Sequence, residues 1–326
     1  MDEGVDMKKS SNARHWLTLA ACCGLTASSI GIFTNSVGVF YSPVSDSLGV
    51  GRGAFAMHAT LATLAMAFLA PLSARLLPKL PLRLYLGLGM VLGVGSTALM
   101  AFSKSIWAFY LLGPLKGAGV AFFGILPVTA VISNWFQKSY GLAVGAALSF
   151  SGLSGAVFSP LFTFIIEKAG WQAAFLWMAG LGLVLALPGV LTLRLTPQEV
   201  SLAPYGGSVA VAMPDIRENR PKAKLYMPAL VLACTFSLLA CAITSVGQHF
   251  PTVAEAAGLS AQVGAMMVSA GMVGNIISKL AIGILSDHKG PFFANGCMLL
   301  VNGLSMGVML LLSPVLPAVA IGAAFF

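Results

Sequence analysis

Apolar residues along this chain do not alternate with polar ones. They run in blocks of about 20, cut by short polar breaks carrying proline or glycine. Blocks of that length match the hydrocarbon thickness of a bilayer, where a backbone must satisfy its own hydrogen bonds. They predict spanning helices over 16–41, 54–73, 84–102, 107–133, 141–166, 172–193, 226–249, 262–285 and 292–312. A tenth begins near Leu316, and the chain stops inside it at Phe326. A β-barrel is disfavoured, because its strands would alternate over about ten residues. The first block is too long for a signal-peptide core and lacks a convincing cleavage site, so it is kept as a helix behind a polar start, residues 1–15.

Composition sharpens this into a class. Hydrophobic residues make up 58% and charged residues 9%, with a mean hydropathy of +0.90; a soluble domain carries about 25% charged residues. The expected fold is an all-α polytopic membrane protein with the bilayer as its surroundings. Cys22, Cys23, Cys234, Cys241 and Cys297 all lie in apolar runs without metal-ligand spacing, so they read as small packing residues. No metal and no cofactor is expected.

The net charge of +8 invites a nucleic-acid reading, but its distribution removes the need for one. With the N-terminus in the cytoplasm, the cytoplasmic segments hold Lys8, Lys9, Arg14, Arg75, Lys79, Arg83, Lys138, Arg194, Arg217, Arg220, Lys222, Lys224 and Lys289. The opposite side holds only Arg52, Lys104 and Lys168. That bias follows the positive-inside rule and orients the chain in a plasma (inner) membrane. The two cations left over, Lys116 and Lys279, lie inside apolar runs.

Residues 194–225 form the one long polar segment, which predicts a cytoplasmic linker between an N-terminal bundle of six helices, 16–193, and a second bundle, 226–326. The halves echo each other. "APLSARLLP" (70–78) and "GILSDHKGP" (283–291) share Leu-Ser at one offset, then a polar or basic turn, then Pro. Parallel repeats of six-helix halves are a known transporter plan.

These features resemble the major facilitator superfamily, and within it are most similar to the monocarboxylate and oxalate–formate transporter branch. Gly283-Ile-Leu-Ser-Asp287-His288-Lys-Gly290 matches the superfamily's loop signature, with His288 where Arg is usual. Lys116-Gly117-Ala-Gly119 resembles the motif of the fourth helix. Asn134-Trp135-Phe136 followed by Tyr140-Gly141-Leu-Ala-Val-Gly145 is similar to the branch's passage into the fifth. Gly152, Gly155 and Pro160 suggest its glycine–proline motif, and Gly170-Trp171 is typical before the sixth. The resemblance implies two six-helix bundles, of which the second is incomplete here: nine helices and part of a tenth against a family complement of twelve. It also implies a gating role for Arg75 and Pro160. At residue 74 the first loop has Ala where the signature has Asp, and Asn35 stands near the position of a lysine in animal monocarboxylate transporters.

Lys279 is the first candidate for chemistry. A lysine near the bilayer centre costs roughly 2.5–3.5 kcal/mol on insertion scales and so asks for a function. At 1.5 Å per residue it lies about 12 Å from Asp287, beyond ready snorkelling. Gly271, Asn275, Ser278 and Lys279 share one helical face, and the branch carries a carboxylate-binding arginine at this spacing. The alternative is a structural role on backbone carbonyls. Lys116 is the second candidate, since two lysines without a facing carboxylate would favour anions; the glycines beside it are equally explained by close helix packing. For proton coupling the candidates are His58 and His249, each of which also reads as a polar interface residue. Gly283, Asp287, His288 and Gly290 read as a gating turn, the glycines allowing close approach and Asp287 accepting hydrogen bonds at a neighbouring helix N-terminus.

No nucleophile elbow, catalytic carboxylate pair or phosphate loop supports an enzyme. The expected function is secondary transport of a small organic anion, a monocarboxylate or dicarboxylate, by alternating access, through proton symport or anion exchange, by a monomer. Substrate contacts fall to Lys279, Asn275, Lys116 and Asn35. The alternatives are a permease for a neutral or amphipathic compound and a truncated membrane protein that transports nothing.

Overall fold

Where the apolar blocks are described, they are helical over most of their length. In the computed structural model the described residues are 2–206, 227, 231, 258, 259, 261–309 and 317–325. Most of the expected helix over 226–249, with His249, and the linker from 207 onward lie outside them. Two compact units divide the chain: Met1–Gly207 with Lys279–Ile284, and Ser208–Ser278 with Leu285–Phe326.

In the first unit the opening block is one apolar span, Ala13–Leu48, but not one regular helix. It comprises α1 (Asp2–Thr26), a π-helical turn (Ala27–Ile32), a 3-10 segment (Asn35–Phe40) and α2 (Tyr41–Leu48). It therefore runs past residue 41, where the expected helix ended. Irregular backbone at membrane depth must be re-satisfied by nearby donors, and here it is: Ser154 Oγ donates to Ala27 O at 2.7 Å, Thr34 Oγ1 to Ser29 O at 3.2 Å and Ser36 Oγ to Gly31 O at 3.1 Å. Then follow α3 (Arg52–Leu76), α4 (Leu82–Met100), α5 (Ile106–Phe123) and α6 (Ile125–Trp135). The last two were expected as one helix; Gly124, at φ −90° and ψ −137°, breaks it.

Helix α7 (Tyr140–Thr192) is 53 residues long. At 1.5 Å per residue a straight helix of that length would reach about 80 Å, far more than one crossing of a roughly 30 Å core. It turns at Gly170, whose φ of 84° and ψ of 163° leave the helical region, so the two expected helices 141–166 and 172–193 are separate rods. Trp171, directly after the turn, is buried near Phe109 and Phe175.

The Asn134-Trp135 pair has a structural job at the end of α6. Trp135 Nε1 donates to Arg194 O at 2.9 Å, and Asn134 Nδ2 donates to Leu195 O at 3.0 Å. Carbonyls just past α7 thus find the partners they need. The Tyr205 amide bonds Trp135 O at 2.8 Å, and the His15 ring packs edge-on to Trp135 while Nε2 donates to Ala203 O at 2.9 Å.

The described part of the second unit holds α9 (Pro291–Met309) and α10 (Pro317–Phe325), which pack together, with Ser305 Oγ donating to Ala323 O. Helix α8 (Ala261–Lys289) is shared, its stretch Lys279–Ile284 grouping with the first unit. Among the described residues seven stretches are long and apolar enough to cross a bilayer, and the one bridge of β type joins Phe136 to Tyr205 in isolation.

Apolar side chains lie on both sides of the first unit. Phe68, Phe102 and Trp107 are exposed, whereas Phe33, Phe40, Phe55, Phe109, Phe123 and Phe175 are fully buried. What is selectively inward is small and hydroxyl-bearing, as expected where lipid removes the hydrophobic drive for helix association. Ser73, the serine of "APLSARLLP", is the clearest case. It is fully buried on α3, accepts from the Tyr85 hydroxyl of α4, and donates to Ala121 O of α5 at 2.8 Å.

Ser73→Ala removes both partners at once. It is expected to lower stability by about 1–3 kcal/mol, the cost of stranding buried polar groups, and adding Tyr85→Phe should recover part of the loss. Thermal unfolding of the three variants in detergent checks this; equal melting temperatures would rule the clasp out.

Candidate functional site

Helix α5 places Lys116 by packing backbone against backbone on two neighbours. A Cβ added at Gly113 would stand 2.5 Å from His58 O of α3, and one at Gly117 would collide with Ala62 O, also on α3. On the other flank a Cβ at Gly119 would stand 2.7 Å from Gly89 O of α4. Only hydrogen fits at these three positions. The glycines of Lys116-Gly117-Ala118-Gly119 therefore have the packing role anticipated for them.

Lys116, between those contacts, is buried, at 3% exposure. It lines a pocket of about 430 Å³, mouth included, formed by the first span, α3 and α5. Among the described residues its ammonium has no hydrogen-bond or ion-pair partner, and no Asp or Glu is buried in the first unit. The pocket walls are mainly apolar: Phe33, Val37, Ala62, Met66 and Val120, with Thr34, Thr63 and Tyr41 supplying hydroxyls.

His58 lies one turn along α3 from Ala62, fully buried in an aromatic box. Its ring centroid is 4.4 Å from Phe55, 5.9 Å from Phe109 and 6.5 Å from Tyr41. Nδ1 donates to Phe55 O, which leaves Nε2 as the acceptor; Nε2 has no hydrogen-bond partner among the described residues. Lys116 lies close enough to act on the ring electrostatically.

Lys279 is differently placed. Nζ donates to Leu148 O at 3.2 Å and to Ser151 Oγ at 3.0 Å, both on α7. Asn35 reaches the same residue, Nδ2 donating to Ser151 O at 3.1 Å. So Ser151 gathers two of the four candidate contacts, Lys279 and Asn35. It was missed in the sequence, where Ser151-Gly-Leu-Ser154-Gly155 stood out only for its glycines, although each serine in an apolar helix is a donor seeking a partner. Asn275 is not gathered in: its side chain is exposed.

The turn after Lys279 separates two kinds of glycine. A Cβ on Gly283 would collide with Gly141 O, so close approach explains it. Gly290 does not fit that explanation. Nothing lies within 4 Å of a Cβ there, but its φ of 86° is left-handed and its amide bonds Ser286 O at 3.0 Å. It ends α8 so that Pro291 can open α9. Asp287, His288, Arg75 and Pro160 are all exposed, Arg75 in the last turn of α3 and Pro160 within α7. Among the described residues no cluster of His, Cys, Asp or Glu could hold a metal ion.

Several membrane-capable helices, a buried lysine at residue 116, a half-buried one at 279 and inward-facing hydroxyls mark a multi-pass membrane protein. Residues 20–326 match the family model of the Major Facilitator Superfamily, and the chain belongs to that family. It is similar to monocarboxylate transporter 11 of Mus musculus, 27% identical over 281 residues that cover 84% of this chain and 59% of the relative. It is also similar to monocarboxylate transporter 13 of Bos taurus, 26% identical over 310 residues, 93% of this chain and 68% of the relative. Monocarboxylate transporter 12-B of Danio rerio is 25% identical over 325 residues, 92% of this chain and 68% of the relative. The chain thus spans 59% of the mouse relative's length. Family and relatives point to a transporter, not an enzyme.

Gly117→Ala should push α5 off α3. Overpacking of this kind typically costs about 1–3 kcal/mol. Gly95→Ala on α4, where a Cβ meets nothing within 4 Å, is the matched control and should leave the melting temperature unchanged or raise it slightly, alanine being the better helix former. Equal effects would mean that the α3–α5 approach is not constrained at Gly117.

Proposed function

We propose that the chain moves a small organic anion, a monocarboxylate or dicarboxylate, across the plasma membrane by alternating access. The observation that carries this is the Lys116 ammonium: buried, beside a pocket, and unmatched by any carboxylate among the described residues. An uncompensated cation in a low-dielectric setting attracts an anion and repels a cation. Lys279, held with Asn35 around Ser151, is a second cationic contact, and Asn275 a polar one further along α8. The names of the relatives, all monocarboxylate transporters, support the same substrate class.

In this reading residues 16–193 and 226–326 act as two bundles joined by the linker 194–225, with the N-terminus in the cytoplasm and the monomer as the working unit. Gly283, Asp287, His288, Gly290 and Arg75 belong to the turns that rearrange between access states, and Pro160 to a bendable part of α7. Coupling is by proton symport or by anion exchange. His58 is the proton candidate with a described environment; His249 is the other. A permease for a neutral amphipathic compound is favoured by one observation, the mainly apolar walls of the pocket.

Uptake of labelled pyruvate, lactate and oxalate into proteoliposomes containing the chain tests the reading. Anion uptake should fall at least about tenfold in Lys116→Ala and in Lys279→Ala, the usual scale for losing a charged contact of over about 1.4 kcal/mol. Unchanged anion uptake in both variants would sink the anion reading, and uptake of a neutral amphipath alone would favour the permease. For coupling, acceleration by an inward proton gradient marks symport, and acceleration by trapped internal anion marks exchange.

A further inference from the structure

We propose that the groove between α3 and α4 binds an anionic phospholipid, its headgroup on Arg75, Lys79 and Arg83 and an acyl chain along the groove. This goes beyond the transport reading and does not rest on it.

The groove follows from how the helices pack. Helices α3 and α4 each lie against α5, and far less against each other. On α5, Gly113 and Gly117 meet α3 and Gly119 meets α4. Leu111 and Leu115 meet neither and are 69% and 41% exposed, so they form the floor. One wall carries Phe68 and Leu72 of α3, both exposed and next to Ser73, which bonds Tyr85 across the gap. The other carries exposed Leu88 of α4, one turn along from Tyr85. Phe68, Leu72 and Arg75 follow at i, i+4 and i+7, so one face of α3 runs from apolar to cationic. Seven residues of helix make that run about 10 Å long, well within the reach of an acyl chain below its headgroup.

Charge selects the occupant. Arg75, Lys79 and Arg83 are exposed, and their side chains hold no hydrogen bond or ion pair among the described residues. No Asp or Glu occurs anywhere between Asp46 and Glu167. Pro81 caps α4 without a side-chain hydrogen bond, so the first amides of that helix also point at the turn. Cations beside a membrane surface attract anionic lipid, whereas a zwitterionic head would bring its own ammonium against them. A second copy of this chain fits worse, because a twofold contact here would set the same cations against each other. The positive-inside bias explains why cations gather at one end of the helices. It does not explain three of them at the mouth of an apolar groove.

Native mass spectrometry of the purified, delipidated chain titrated with phosphatidylglycerol or phosphatidylcholine tests this by reading the first bound lipid. Phosphatidylglycerol should bind at least about fivefold tighter, the scale of one cation near a membrane surface. Arg75→Gln, Lys79→Gln and Arg83→Gln combined should abolish that preference. Arg52→Gln, Lys104→Gln and Lys168→Gln combined remove as many exposed cations elsewhere and should leave it intact. Lys79→Gln alone, in the turn between the helices, should act in the same direction as the first triple variant, should that variant fold poorly. Leu115→Trp, which fills the floor, should weaken phosphatidylglycerol with every cation in place. Equal affinities for the two lipids, or equal losses in the two triple variants, would overturn the proposal. So would a preference untouched by Leu115→Trp, or displacement of the lipid by soluble glycerol phosphate, which would mark a site for free phosphate instead.

Discussion

Helix α5 meets α3 and α4 with almost no side chain between them, and this double approach fixes where the charge of the first unit lies. Lipid gives helices no hydrophobic reason to associate, so they must gain contact by coming close. Gly113 and Gly117 allow it on one flank and Gly119 on the other. Lys116 stands between Gly117 and its preceding turn, so the packing that brings three helices together also keeps its ammonium away from the lipid. Had α5 presented larger residues, the helices would separate and Lys116 could extend toward an interface. Charge placement here is a consequence of backbone packing.

Hydroxyls on small side chains do the rest of the fastening. Ser28 to Gly182 O, Ser154 to Ala27 O and Ser73 to Ala121 O are bonds between elements distant in sequence, each from a serine inside an apolar run. Each satisfies a carbonyl or a hydroxyl that lipid would leave bare. The π-helical turn at Ala27–Ile32 receives one of them, at Ala27 O, and sends out another from Ser28, so its irregular backbone is tied to the long helix in both directions. Ser151 extends the pattern to a charge, since its hydroxyl accepts from Lys279 while its carbonyl accepts from Asn35.

Much of this was legible in the chain itself, and what was not shares one physical reason. Apolar block length located α3, α4, α8 and α9 to within a few residues, because span length follows bilayer thickness. The turn at Gly170 and the terminal cluster around Trp135 were visible as motifs. The break at Gly124 and the irregular first span were not, since an apolar run looks the same whether or not its helix is interrupted; in the first span one compensating donor, Ser154, comes from over a hundred positions away. Gly290 was credited with close approach when its role is a left-handed turn, a distinction that lies in φ and leaves no mark in residue identity. Ser151 was passed over for a similar reason: a serine's partner is set by the fold, not by its neighbours.

The two buried-segment lysines, alike in sequence, differ in what an incoming anion would have to displace. Lys279 already donates to a carbonyl and to a hydroxyl. A carboxylate there gains only the difference between a charged acceptor and two neutral ones; Leu148 O keeps the Ser151 hydroxyl as a donor at 2.7 Å, while Ser151 Oγ loses the one it accepts from. Lys116 holds no such bonds among the described residues, so a carboxylate there gains the full interaction, offset only by stripping whatever solvent the pocket admits. The lysine that drew notice for its polar helical stripe is therefore the better satisfied of the two. The one hidden among glycines has more to gain from a ligand, and it lines a pocket. An unmet bonding capacity next to open space points to binding more directly than a conspicuous charge does.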